Sequence, residues 1–166
     1  MQDLLQFHHI FDIKHNIWTY VLVILFVLIY YVLGCTINGF EFGAPLFMLI
    51  VILPMMLFGG GNEEVGWRMI LQPELEKKFG FNIATIFTTI IWWLWHLPIF
   101  FIKGTANANM NYFLFGIMCL TLCYALATIR KVSKGVFPCI LTHCLINGLS
   151  AIFVFNYSWL SCCISL

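Results

Sequence analysis

Charge is scarce in this chain. Of 166 residues, seven are Asp or Glu and eight are Lys or Arg, 9% in all, against about 25% in an ordinary soluble domain. That is too little to cover a water-facing surface. The same shortage excludes intrinsic disorder, because disordered chains are charge-rich and apolar-poor. A formal net charge of +1 and the lack of any basic stripe leave nothing to meet phosphates, so no nucleic-acid partner is expected. HExxH, GxSxG and P-loop motifs are all missing. There is no internal repeat and no low-complexity linker. The cysteines number seven, and an odd count rules out a complete intramolecular disulfide framework.

What remains is apolar: 62% of the chain, with seventeen Phe. The class this predicts is all-α, a multi-pass helical membrane protein. About five transmembrane helices are expected around a polar intramembrane cavity. Residues 1–16 form a cytosolic or interfacial arm with His8, His9 and His15, too spread to argue a metal site. Ile17 to Cys35 is an uncharged run of nineteen residues, roughly 28 Å as a helix and close to the hydrocarbon thickness. It has no clean small-x-small cleavage site after it, so it reads as a retained helix rather than a signal peptide. Residues 36–43 are a loop. Ala44 to Leu71 reads as one long helix with a polar cluster inside it, followed by the polar stretch 72–82, where Pro73 opens a short helix. Ile83 to Phe101, Asn111 to Ile129 and Val136 to about Phe155 complete the spans. Residues 44–156 would form the functional core and 157–166 an apolar tail.

Orientation follows from Lys and Arg. With the 130–135 loop in the cytosol, Lys14, Lys77, Lys78, Arg130, Lys131 and Lys134 fall inside and Lys103 outside. The N-terminus is therefore expected in the cytosol and the C-terminus outside. Most cysteines sit in apolar runs, where a thiol packs as a small hydrophobe. Cys119 and Cys123 are one turn apart but have no third ligand nearby. Cys162 and Cys163 suit lipidation in a eukaryote, and Asn156-Tyr-Ser158 fits a glycosylation sequon.

Ionisable groups at membrane depth cost several kcal/mol unless paired or hydrated. Glu63, Glu64, Arg68, His96 and His143 all fall within the spans, with Asn147 one turn from His143. Gathering them around one wet interior is the least costly arrangement. Counting rises from the cytosolic ends puts His143 roughly 10 Å down, Glu63 roughly 13 Å and His96 roughly 20 Å. Glu63 and Glu64 are adjacent, about 100° apart on a helix, so they take different parts. Glu64 and Arg68 stack at i, i+4 and make a structural clasp, which frees Glu63 to face the cavity. Trp92, four before His96, would wall it. Pro98 should kink the helix just past His96. The glycines Gly59, Gly60 and Gly61 allow close contact, a bend or room for a substrate backbone.

Two hydrolytic schemes fit this set. In one, Glu63 is a general base for water, His96 holds that water or tunes Glu63, and His143 and Asn147 donate to the oxyanion. In the other, Glu63, His96 and His143 ligate zinc and Glu64 is the nearest base. No cofactor is required by the first.

Glu63-Glu64-Val-Gly-Trp-Arg68 resembles the EExxxR motif of the CPBP intramembrane protease family. This family includes CAAX prenyl endopeptidases and the bacteriocin-immunity (Abi) relatives. Trp95-His96-Leu97-Pro98 resembles its second motif and His143-x-x-x-Asn147 its third. The resemblance covers roughly Phe58 to Ser150. It implies a membrane endopeptidase, with Glu63 matching the catalytic glutamate, Glu64 and Arg68 its flanking residues, and His96, His143 and Asn147 the later motif residues. It also implies a peptide or membrane-protein substrate, such as a prenylated C-terminus, a leader or a pheromone. The family was named for a metalloprotease reading, whereas a glutamate-activated water needs no metal; the metal-free scheme explains Asn147 as well as His143. Trp92 stands where the family usually has Phe. Members typically have about eight spans, and here only one precedes the motif helix. A bacterial plasma membrane is the expected location. A non-catalytic immunity or scaffold protein retaining the site is the alternative function. A transporter is disfavoured by five spans without inverted repeats. Oligomeric state is not legible.

Overall fold

The computed structural model describes residues 10–155. His8, His9, the Asn156 sequon, Cys162, Cys163 and the tail 157–166 lie outside them. The chain is an all-α multi-pass membrane protein. Its helices are α1 (Ile17–Asn38), α2 (Leu49–Met56), α3 (Gln72–Trp95), α4 (Tyr112–Ser133) and α5 (Phe137–Ser150). Three helical stretches are long and apolar enough to cross a membrane: Ile17–Asn38, Val65–Phe101 and Tyr112–Ser133. Leu46–Gly61 and Phe137–Ser150 are shorter apolar helices.

Burial patterns show which surfaces meet lipid. α1 buries Thr19, Val23, Val27 and Tyr31, one residue every turn. Between them Ile24, Leu25, Leu28, Ile29, Val32 and Leu33 stay about half exposed. An aliphatic face of that extent suits hydrocarbon, not water. α4 buries Phe115, Cys119, Leu122, Cys123 and Leu126 on one stripe, so its two cysteines are core residues. Asn16 caps α1 by accepting from the Trp18 amide. Asn111 caps α4 by accepting from the Phe113 and Leu114 amides.

α5 lies at the centre. It packs against α1, α2 and α4, and eight of its fourteen residues are buried. Most side chains on it therefore face other helices.

Four expectations about the elements need correcting. The long helix Ala44 to Leu71 is broken. A 3₁₀ turn (Leu46–Met48) leads into α2, then a π-helical turn (Leu57–Gly61), and the helical path fails at Gly59 and Gly60, where Gly60 has φ 145°. A second π-helical segment, Val65–Leu71, runs straight into α3 across Pro73. Pro73 lacks an N–H and would end a helix elsewhere; here it stands in the first turn of α3, and upstream the Arg68 carbonyl accepts from Arg130 Nε instead. Within 72–82 the change of direction is made by Gly80 alone, at φ 73°. Third, Pro98 ends the α-helix just past His96 rather than bending it, because its ring disfavours α conformation in the residue before it. α3 stops at Trp95, His96 is its C-cap, and Leu97–Phe101 is a 3₁₀ turn.

The fifth span stops early, at Ser150. Phe153–Phe155 is a strand (β2) that pairs antiparallel with Phe40–Phe42 (β1), in the register Phe40↔Phe155 and Phe42↔Phe153. The reason is aromatic. Phe153 and Phe155 pack on Tyr31 with ring centroids 5.7 and 5.6 Å away, and the Tyr31 hydroxyl donates to the Ile146 carbonyl. Ends of α1 and α5 are thereby tied together, which a helix continued to Phe155 would forgo.

Candidate active site

Four segments supply the polar residues. The π-helical segment and the turn before it carry Glu63, Glu64, Trp67 and Arg68. α3 and its cap carry Trp92 and His96, α4 carries Cys123, and α5 carries His143 and Asn147. π-Helical windings are uncommon and recur at functional sites.

Arg68 and Glu64 are both fully buried. Arg68 Nε lies 3.2 Å from Glu64 Oε2, and Nη1 lies 3.5 Å from Oε1. Alignment is imperfect, so the pair is an ion pair more than a hydrogen-bonded fork. Arg68 also donates from Nη2 to Cys123 Sγ at 3.1 Å, and its Cζ sits 5.3 Å from the centre of the Trp92 ring. Glu64 is more than a clasp. Its Oε1 lies 2.7 Å from His143 Nδ1, so it bridges arginine and histidine. With Nδ1–H given to that carboxylate, the imidazole ring is fixed and Nε2 is turned away from Glu64.

Nε2 of His143 points at the broken helix. A Cβ built on Gly60 would stand 2.9 Å from His143 Nε2 and 2.5 Å from Asn147 Nδ2. Asn147 Nδ2 donates to the Gly59 carbonyl at 3.2 Å. Both nitrogens therefore converge on one stretch of backbone, and one already holds a peptide oxygen. Gly60 is required there twice over, by its φ of 145° and by its missing Cβ. Gly60→Ala is expected to cost about 2 kcal/mol or more through backbone strain and overpacking. Gly66→Ala, which meets open space, should stay within about 1 kcal/mol. Thermal unfolding of the two variants in detergent checks this, and equal midpoints would refute it.

Glu63 is half-buried. Its Oε2 accepts from Trp92 Nε1 at 2.9 Å and from Trp67 Nε1 at 3.3 Å. Trp92 is the hub of the arrangement. It is 3% exposed, with the His96 ring edge-on at 5.4 Å and the His143 ring edge-on at 5.6 Å between centroids. His96 is half-buried, and its Nδ1 lies 2.8 Å from the Trp92 carbonyl. Among the described residues no direct hydrogen bond joins Glu63 to either histidine.

The residues of the zinc scheme do not form a metal site. Among the described residues no three His, Cys, Asp or Glu side chains group as ligands would. Glu63, His96 and His143 are arranged around the Trp92 indole rather than around a shared point. Cys119 and Cys123 are buried free thiols.

Three contacts lie beyond the expected pairs. Trp67 sits four residues after Glu63, the same offset that pairs Glu64 with Arg68, so its signal was present in the motif. Cys123 against Arg68 and Glu64 against His143 are separated by 55 and 79 residues, and no local pattern announces them.

The arrangement offers a carboxylate held by two donors, an amide on the Gly59 carbonyl and a histidine nitrogen facing the same stretch of backbone. Comparison with known proteins agrees in kind. Residues 44–149 match the family model described as Type II CAAX prenyl endopeptidase Rce1-like. The chain is 27% identical over 123 residues to "CAAX prenyl protease 2" of Methanococcus maripaludis, a match covering 66% of this chain. The chain spans 42% of the length of that curated relative. No solved structure matches it. The family match takes in the broken helix, the π-helical segment, α3, α4 and nearly all of α5, and the chain belongs to the Type II CAAX prenyl endopeptidase Rce1-like family.

Proposed function

We propose that this protein is an intramembrane endopeptidase of the CAAX type, hydrolysing a peptide bond at or within the bilayer. The prenylated C-terminus of a CAAX-type protein is the substrate class that the family and the relative's name favour. The observation that carries the reading is the convergence of His143 Nε2 and Asn147 Nδ2 on the backbone at Gly59 and Gly60. An amide on the Gly59 carbonyl and an imidazole nitrogen facing Gly60, in the same segment as a half-buried glutamate, suit a tetrahedral oxyanion.

In this mechanism the substrate carbonyl takes the place of the Gly59 oxygen on Asn147. Glu63 removes a proton from water, and the hydroxide attacks the carbonyl carbon. Negative charge passes to the carbonyl oxygen, where Asn147 and His143 meet it. For His143 to donate from Nε2 while giving Nδ1–H to Glu64, the ring acts as imidazolium. Glu64 and Glu63 together balance it and Arg68. The protonated Glu63 then passes its proton to the leaving amine. His96, beside Trp92, borders the water. With the 130–135 loop in the cytosol, this site is reached from the cytosolic side.

Purified protein in lipid bilayers should cleave a farnesylated CAAX peptide, read by mass spectrometry. His143→Ala and Asn147→Ala should each lower that rate by about 10²-fold. Prolonged chelation should leave it unchanged. A full rate in Asn147→Ala would remove the oxyanion assignment. Absence of any cleavage across prenylated and leader peptides would remove the peptidase reading.

A further inference from the structure

Glu63, the half-buried carboxylate of the site, takes two indole donors on a single oxygen. Trp92 Nε1 and Trp67 Nε1 both point to Oε2. Oε1 receives no hydrogen bond from the described residues. A glutamate's terminal torsion is broad and two-fold, so an unanchored carboxylate presents either oxygen in many directions. Two N–H bonds to an ionised oxygen are charge-assisted and directional. They hold the group in one orientation.

We propose that Trp92, assisted by Trp67, is a positioning residue that engages Oε2 of Glu63 and leaves Oε1 as the atom that faces water and takes its proton. This rests on the reading of Glu63 as the general base. A phenylalanine, which the resemblance expects at position 92, would supply the same wall but no donor. In this chain the wall also grips the base.

Trp92 is itself held in place. Its two histidine neighbours pack edge-on from either motif, and the Arg68 guanidinium lies 5.3 Å from its ring centre. A cation near an indole draws π density toward itself and makes the N–H a stronger donor. The buried ion pair therefore acts on Glu63 through Trp92, without touching it. Of the two donors Trp92 dominates, because its bond is shorter, 2.9 Å against 3.3 Å.

The test separates gripping from walling. Benzothienylalanine copies the shape of tryptophan with sulfur in place of N–H. Replacing Trp92 by it keeps every ring contact and deletes the donor; Trp92→Phe and Trp67→Phe are the genetically simple counterparts. In the full chain in bilayers, kcat for peptide cleavage should fall about 10- to 100-fold in the benzothienyl and Trp92→Phe proteins, with KM little changed. Trp67→Phe should lose less. Independently of turnover, the indole N–H signals of Trp67 and Trp92 in a ¹⁵N NMR spectrum should move upfield in Glu63→Ala. An unchanged kcat in the benzothienyl protein, or indole signals indifferent to Glu63→Ala, overturns the proposal and leaves a cleaving enzyme standing. A wild-type protein that cleaves no peptide overturns the peptidase reading, and with it the assignment of Oε1 as base.

Discussion

Glu63→Gln is expected to lower peptide cleavage by about 10²- to 10⁴-fold, the usual range for loss of a general base, and to leave the folded yield unchanged. Structure makes the two halves of that expectation separable. The amide oxygen of Gln can still accept from Trp92 and Trp67, which bind Oε2 in the wild type. Its NH₂ then stands where Oε1 stood, a donor that cannot take a proton. Glu64→Gln, one residue on, should do the reverse. Glu64 is fully buried between Arg68 and His143, so loss of its charge harms folding first. Yield from size-exclusion chromatography and cleavage rate, measured on both variants, should fall in opposite patterns. If both glutamines lost yield alike, Glu63 would be a structural residue and the base would have to be sought elsewhere.

Arg68→Met should be the most destabilising single change in the site, by about 3–5 kcal/mol. Removing the guanidinium leaves Glu64 buried without its main counter-charge and strips Cys123 and Trp92 of a neighbour. The double variant Arg68→Met with Glu64→Gln should recover much of the loss, because replacing a buried pair by neutral groups is far less costly than orphaning one partner. Recovery should stop short of wild type, since His143 loses the carboxylate that fixes its ring. Thermal midpoints of the three proteins in one detergent decide the matter. A single variant as stable as wild type would show that the ion pair contributes nothing to the fold.

Much of this was open to a linear reading for identifiable reasons. Glu63, Glu64 and Arg68 stand at helical offsets within one segment, so the Glu64–Arg68 contact follows from i, i+4 geometry alone. His143 and Asn147 share a face of α5 by the same rule, and both nitrogens reach one backbone point. Apolar run lengths placed α1 and α4 within a few residues, because Asn16 and Asn111 cap them where the runs begin. The glycine run predicts a bend, a contact or a space, and Gly60 combines a positive φ with close contacts; the break it makes in the helix before Glu63 is not legible in the sequence. An α-helical count from Ala44 to Leu71 assumes a uniform rise, and neither a positive φ nor a π-turn leaves a mark on hydropathy.

Composition and spacing by themselves determined the class of molecule and its chemical inventory. Charge at 9% and apolar residues at 62% leave no solvent but lipid for most of the surface, and the few ionisable groups inside must then find one another. Tertiary structure decided which groups meet across helices. It set His143 on Glu64 rather than on Glu63, turned two indole N–H groups onto one carboxylate oxygen, and laid the Gly59 carbonyl on Asn147. Those choices depend on the pitch of two π-helical turns, on Gly60 and on the packing of α5 at the centre. Contacts across 29 or 79 residues are set by how helices cross, and crossing is fixed by the shapes of many side chains together, not by any pattern along one of them.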